Sequence, residues 1–117
     1  MPQRSDHDLP TLLRHMREAC EAIVGFTAGR TLADYESDDM LHSAVERKFT
    51  IIGEALGNAL ELQPMLRNQI TGARDIVDFR NLLTHGYSLV EADRVWGFIQ
   101  EELPRLLAEV RALLAPL

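Results

Sequence analysis

Cysteine is almost missing from this chain. Cys20 is the only one among 117 residues. No intrachain disulfide and no cysteine-based zinc site can be built from it. Lysine is as scarce: Lys48 stands alone beside eleven arginines. The first residues, MPQRSDHDLP, hold no apolar stretch of the kind a secretory signal needs. No apolar run approaches the roughly 20 residues of a membrane span. The expectation is a cytoplasmic protein without membrane contact. Strand signals are also wanting. There is no sustained period-two alternation and no Asn-Gly or Asp-Gly hairpin turn. Internal repeats and low-complexity stretches are absent too.

What is present points to one domain over 1–117, large enough for a single core. Apolar residues make up 46% of the chain, which excludes a disordered polymer. The net charge is −6 and the pI about 5.1. That argues against a coat for duplex DNA or for anionic membrane, since either needs many neutralising cations. It leaves room for a local RNA site. Nearly every cation is an arginine, a planar and permanently charged fork suited to phosphate. Residues 1–48 carry six cations and nine anions, whereas 66–94 carry four of each. The latter region is neutral beside acidic flanks.

The apolar pattern is helical throughout. A first helix is predicted from about 9 to 28, with Pro10 in its first turn and Gly29 as a C-terminal cap. Its stripe is Leu9, Leu12, Leu13, Met16, Cys20, Ile23, Val24 and Thr27. Residues 31–39 read as a polar, acidic and solvated joint. Thr31 and Asp34 resemble a short capping box there, and Asp38 or Asp39 can cap the next helix. That second helix is predicted from about 40 to 62, striped by Leu41, Ala44, Val45, Phe49, Ile52, Ala55, Leu56, Ala59 and Leu60. Gly53 and Gly57 lie inside it. Each costs about 1 kcal/mol against alanine, so two of them four apart predict a close helix neighbour. A short turn over 65–69 precedes a helix from about 73 to 85, with Ile76, Phe79 and Leu83 on one side and Gly86 as terminator. The last helix is expected after Ser88, where Ser88 and Glu91 match a capping box. Pro104 interrupts its stripe, and a kink is expected there. Four main helices with short joints predict an antiparallel bundle of four to five helices.

The chemistry concentrates in Asp78-Phe79-Arg80-Asn81-Leu82-Leu83-Thr84-His85-Gly86-Tyr87. Arg80 and His85 are about 140° apart around an α-helix. They do not stack, but both can reach one concavity at a helix end. Arginine neutralises a scissile phosphate and the extra charge of its transition state. Histidine takes or gives a proton near neutral pH. RNA brings its own nucleophile in the 2′-hydroxyl, so neither metal nor cofactor is required. His7, His15 and His42 show no metal-ligand spacing.

This motif, Arg followed by four residues, His, one residue and Tyr, resembles that of the HEPN superfamily and its HepT-like ribonuclease toxins. The segments around Glu46-Arg47, Ile51-Ile52-Gly53-Glu54-Ala55 and Asp93-Arg94-Val95-Trp96 are similar as well. The likeness covers most of 9–114. It implies an all-α, HEPN-like bundle that works as a homodimer with two motif helices across one cleft. It implies a metal-independent endoribonuclease acting on tRNA or mRNA, with Arg80 and His85 catalytic and Asn81 and Tyr87 in support. It further implies a toxin–antitoxin pair of the type VII class, in which a cognate nucleotidyltransferase of the MntA type adenylylates Tyr87. AMP on that phenol would bring bulk and negative charge to the place where RNA phosphate sits.

The residues allow plainer readings. Arg80 could pair with Asp75 or Asp78, His85 could complement a helix C-terminus, and Tyr87 could be a packing residue. Asn81 could orient His85, hold phosphate or cap locally. Glu54 could lie against Arg80 or in solvent. Trp96 and Phe98 read as core or dimer contacts, and Cys20 as inert. The alternative function is a catalytically weak HEPN-type module that docks a nucleotidyltransferase.

Overall fold

The first helix, α1 (Leu9–Thr27), starts where the Asp8 side chain accepts the Thr11 backbone N–H at 2.9 Å. It buries Leu12, Leu13, Met16, Ala19, Cys20 and Ile23. The chain leaves through Gly29, whose φ of +72° suits a residue without a Cβ. The computed structural model describes residues 8–86 and 92–115, with the side chains of 84–86 left aside.

The stretch expected as a solvated joint is instead a helix, α2 (Leu32–Ser37). Thr31 and Asp34 form the full capping box: Thr31 Oγ1 accepts the Asp34 N–H, and Asp34 Oδ2 accepts the Thr31 N–H. The acids do face water, but Tyr35 turns inward and is fully buried. Its ring lies 4.8 Å from that of His42 and 5.7 Å from that of Trp96.

Helix α3 (Asp39–Leu62) starts at once, capped by the Asp38 side chain on the Leu41 N–H. It is the central element, packed against α1 on one side and α4 on the other. Pro64–Asn68 makes a 3₁₀ turn that buries Leu66. Thr71 is then tied to the far end of the chain: Glu109 accepts both its N–H, at 3.0 Å, and its hydroxyl, at 2.6 Å. Helix α4 (Ala73–Gly86) buries Ala73, Ile76, Phe79 and Leu83. The predicted capping box at Ser88 and Glu91 lies outside the described residues.

Helices α5 (Ala92–Gly97) and α6 (Leu103–Leu114) run together through a π turn at Phe98–Glu102. The interruption expected at Pro104 therefore takes the form of a widened turn just before it. The Leu103 N–H bonds the Phe98 carbonyl five residues back. Pro104 sits in the opening positions of α6, where it has no N–H to lose. Helix α6 packs back on α1, and Arg111 pairs with Glu21 at 3.0 Å across that seam.

Among the described residues the result is an all-α helical bundle, with five helices when α5, the π turn and α6 are taken as one. One apolar cluster runs through it, from Leu12 on α1 to Val110 on α6. Each fully buried Leu, Ile or Val side chain contributes about 1.5–3 kcal/mol relative to exposure. No described helix is long and apolar enough to cross a membrane.

Candidate active site

Arg80 sits on α4 at the seam with α3, and Gly53 is what lets it lie there. A Cβ built on Gly53 would overlap the Cβ and Cγ of Arg80 and lie 3.4 Å from its Cδ. The stem of Arg80 thus lies flat on the bare backbone of α3. Gly57, one turn on, has nothing within 4 Å of the same construction. The predicted close approach is real at Gly53 and absent at Gly57.

Glu54 and Asn81 both hold the guanidinium. Nη2 donates to Glu54 Oε2 at 3.2 Å, and Nη1 donates to Asn81 Oδ1 at 2.7 Å. The Arg80 side chain is 26% exposed and that of Glu54 52%. An ion pair this open to solvent adds at most about 1 kcal/mol to stability. Within α4, Arg74 Nε lies 3.6 Å from Asp78. Asn81, itself exposed, is a holder of the guanidinium.

Beside Arg80 a groove of about 430 Å3 runs between α3 and α4, bordered by Gly57, Asn58, Glu61 and Val77. A larger open cleft of about 790 Å3 lies on another face of α4, lined among others by Asp75, Asp78, Leu82, Arg94 and Arg105. His85 belongs by backbone to the last turn of α4. Its side chain, and the whole of Tyr87, lie outside the described residues.

Three phenylalanines fix the inner face of α4 one residue before Arg80. Phe79 stacks on Phe98 with ring centroids 4.9 Å apart and planes at 2°. Phe49 meets both edge-on, each at 5.3 Å. Phe98 and Trp96 are therefore packing residues, with Trp96 against Tyr35. Cys20 is fully buried, and burial pushes its thiol up to about 12, which keeps it protonated and unreactive. Burial also raises the Tyr35 phenol.

Sequence reasoning missed Tyr35, whose signal was one aromatic residue among acids. It left Glu54 undecided, and the Gly53-Glu54 pairing is what decides it: the glycine admits Arg80 and the next residue meets it. Chemically, an arginine with a fixed stem and a partly exposed fork can bind a phosphate oxygen.

Comparison with known proteins identifies the family. A family model described as "Ribonuclease HepT-like" matches residues 16–113. The chain is 31% identical over 101 residues to a protein of Thermococcus cleftensis named a probable ribonuclease HepT, covering 86% of this chain and 91% of that one. It is 29% identical over 102 residues to a candidate RNase of Caldanaerobacter subterraneus subsp. tengcongensis, covering 87% and 90%. A third relative, from Methanocaldococcus jannaschii, is named for both gamma-glutamylcyclotransferase and a candidate RNase. It is 26% identical over 110 residues, 94% of this chain but 49% of that protein, so the chain spans about half its length. No solved structure matches significantly. A match spanning α1 to α6, with Arg80 on the helix that carries the motif, makes the chain a member of the HepT-like ribonuclease family.

Proposed function

We propose that this protein is the toxin of a toxin–antitoxin pair and acts as a metal-independent endoribonuclease, with its active site completed by a second copy of the chain. The carrying observation is Arg80: its stem is fixed on Gly53, and its guanidinium is aimed by Glu54 and Asn81 while staying partly open. Such a fork is placed to meet a phosphodiester and the charge that grows on it.

The reaction needs one base and one acid. One His85 removes the proton of the RNA 2′-hydroxyl. The freed oxygen attacks phosphorus, the bond to the 5′-oxygen breaks, and a second His85 gives that oxygen its proton. The products are a 2′,3′-cyclic phosphate and a 5′-hydroxyl. A single chain has one His85, so a homodimer supplies the pair. Neutralisation uses the same site. The Tyr87 phenol attacks the α-phosphorus of ATP on a cognate nucleotidyltransferase of the MntA type, and pyrophosphate leaves. The AMP added there repels RNA phosphate.

The test is cleavage of tRNA and mRNA by the purified protein in EDTA, with Arg80→Ala and His85→Ala beside it. Wild type cuts, leaving cyclic-phosphate ends. Each variant loses about 10²-fold or more. Undiminished cleavage by His85→Ala, or cleavage only with added divalent metal, overturns the reading. Incubation with the nucleotidyltransferase and ATP gives an adduct of one AMP by intact mass, and an adduct that survives Tyr87→Phe rejects Tyr87 as its site.

A further inference from the structure

We propose that Glu54 is a positioning residue for Arg80, and that it trades RNA affinity for turnover. This rests on the ribonuclease reading of Arg80.

Two restraints act on the side chain from α3. Gly53 fixes its stem, since no Cβ intervenes between the helices. The next residue, Glu54, takes Nη2 at 3.2 Å. From α4 itself, Asn81 takes Nη1 at 2.7 Å. A stem held by packing still leaves the terminal torsions free, and the two acceptors fix the plane of the fork.

Glu54 is too exposed to be a stabilising residue, with half its side chain in water. Its carboxylate is also an anion beside the place a phosphate would occupy. Both facts are accounted for if its task is orientation. It lowers the cost of aligning Arg80 in the transition state and repels the bound substrate. Loss of Glu54 then acts in opposite senses on the two kinetic constants. A residue with only a structural role would lower the active fraction, and so kcat, without lowering KM.

The experiment compares wild type with Glu54→Ala, Glu54→Gln and Glu61→Ala, using an RNA oligonucleotide that the wild type cuts. Glu61 borders the same groove and serves as a charge control. In Glu54→Ala, kcat falls about tenfold and KM falls about two- to threefold. Glu54→Gln keeps an acceptor oxygen without the charge, so it regains most of kcat while KM stays low. Glu61→Ala does not reproduce the tenfold fall in kcat. Nitrogen-15 NMR of the Arg80 guanidinium gives a readout without catalysis: separate Nη signals in wild type collapse in Glu54→Ala. An unchanged or higher kcat in Glu54→Ala, with Arg80→Ala inactive, overturns the proposal and leaves the ribonuclease reading intact. Unchanged Nη signals overturn it too. Equal cleavage by wild type and Arg80→Ala overturns the catalytic role of Arg80 instead, and the NMR arm still decides whether Glu54 holds Arg80.

Discussion

Gly53 and Arg80 occupy the same space: the Cβ that Gly53 lacks would fall on the first two side-chain carbons of Arg80. An alanine there must push α4 away from α3 or swing the arginine out. Overpacking of this kind costs about 1–3 kcal/mol. At Gly57 the same change meets open space. Replacing an interior helical glycine with alanine then gains up to about 1 kcal/mol. Urea unfolding is expected to show Gly53→Ala destabilised and Gly57→Ala stabilised. RNA cleavage should fall sharply only in the first. Equal effects at the two glycines would refute a specific seat for Arg80.

The seat extends inward to the aromatic trio. Phe49 is 2% exposed and meets Phe79 and Phe98 edge-on. Phe49→Ala should cost about 3–5 kcal/mol, the usual loss for a buried phenylalanine. Phe98 is only partly buried, so Phe98→Ala should cost less, about 2 kcal/mol. Chemical denaturation checks the order. A cost for Phe98→Ala as large as that for Phe49→Ala would show that the Phe79–Phe98 stack, rather than Phe49, holds α4 in place.

These elements were unequally legible in the sequence. Helix bounds were, because caps are local. Gly29 and the Thr31–Asp34 box act within four residues, and α1 and α3 run over Leu9–Thr27 and Asp39–Leu62 against expectations of 9–28 and 40–62. Helix α2 was not legible as an element. It has six residues and one buried side chain, and one of the two rings beside Tyr35, that of Trp96, is distant in sequence. The Gly53–Gly57 pair announced a close neighbour. It could not say that only Gly53 has one, or that the neighbour is an arginine stem. Pro104 announced a break, but whether a helix kinks or widens depends on how the flanking turns pack. Arg80 was found from motif spacing; its partner Glu54 needed the register of α3 against α4.

Two caps also set a pH dependence. Hydrogen bonds from the Thr11 backbone N–H to Asp8, and from the Leu41 N–H to Asp38, hold both carboxyls below their ordinary value of 3.8. The unfolded chain then takes up protons first as pH falls, so stability from these caps is present above 3.8 and is lost as pH drops through and below it. Asparagine caps a helix nearly as well and does not titrate there. The Asp8→Asn, Asp38→Asn double variant should match wild type in Tm at pH 6 and lose less Tm between pH 5 and 3. Parallel Tm curves for the two proteins would reject the caps as the source.

The proposed homodimer makes the sharpest demand on the catalytic reading. If one His85 is base and its mate is acid, a dimer of one wild-type and one His85→Ala chain has lost one of the two roles. It should retain far less than half the wild-type rate, because removing either partner in acid–base chemistry costs about 10²-fold or more. If each chain instead carried a complete site, the mixed dimer would keep close to half. Tandem affinity tags isolate the mixed species, and cleavage of a labelled RNA gives its rate. Arg80 offers a parallel arm: Arg80→Lys keeps the charge but not the fork that Glu54 and Asn81 grip, so it should fail to rescue, where a site needing only a positive charge would recover.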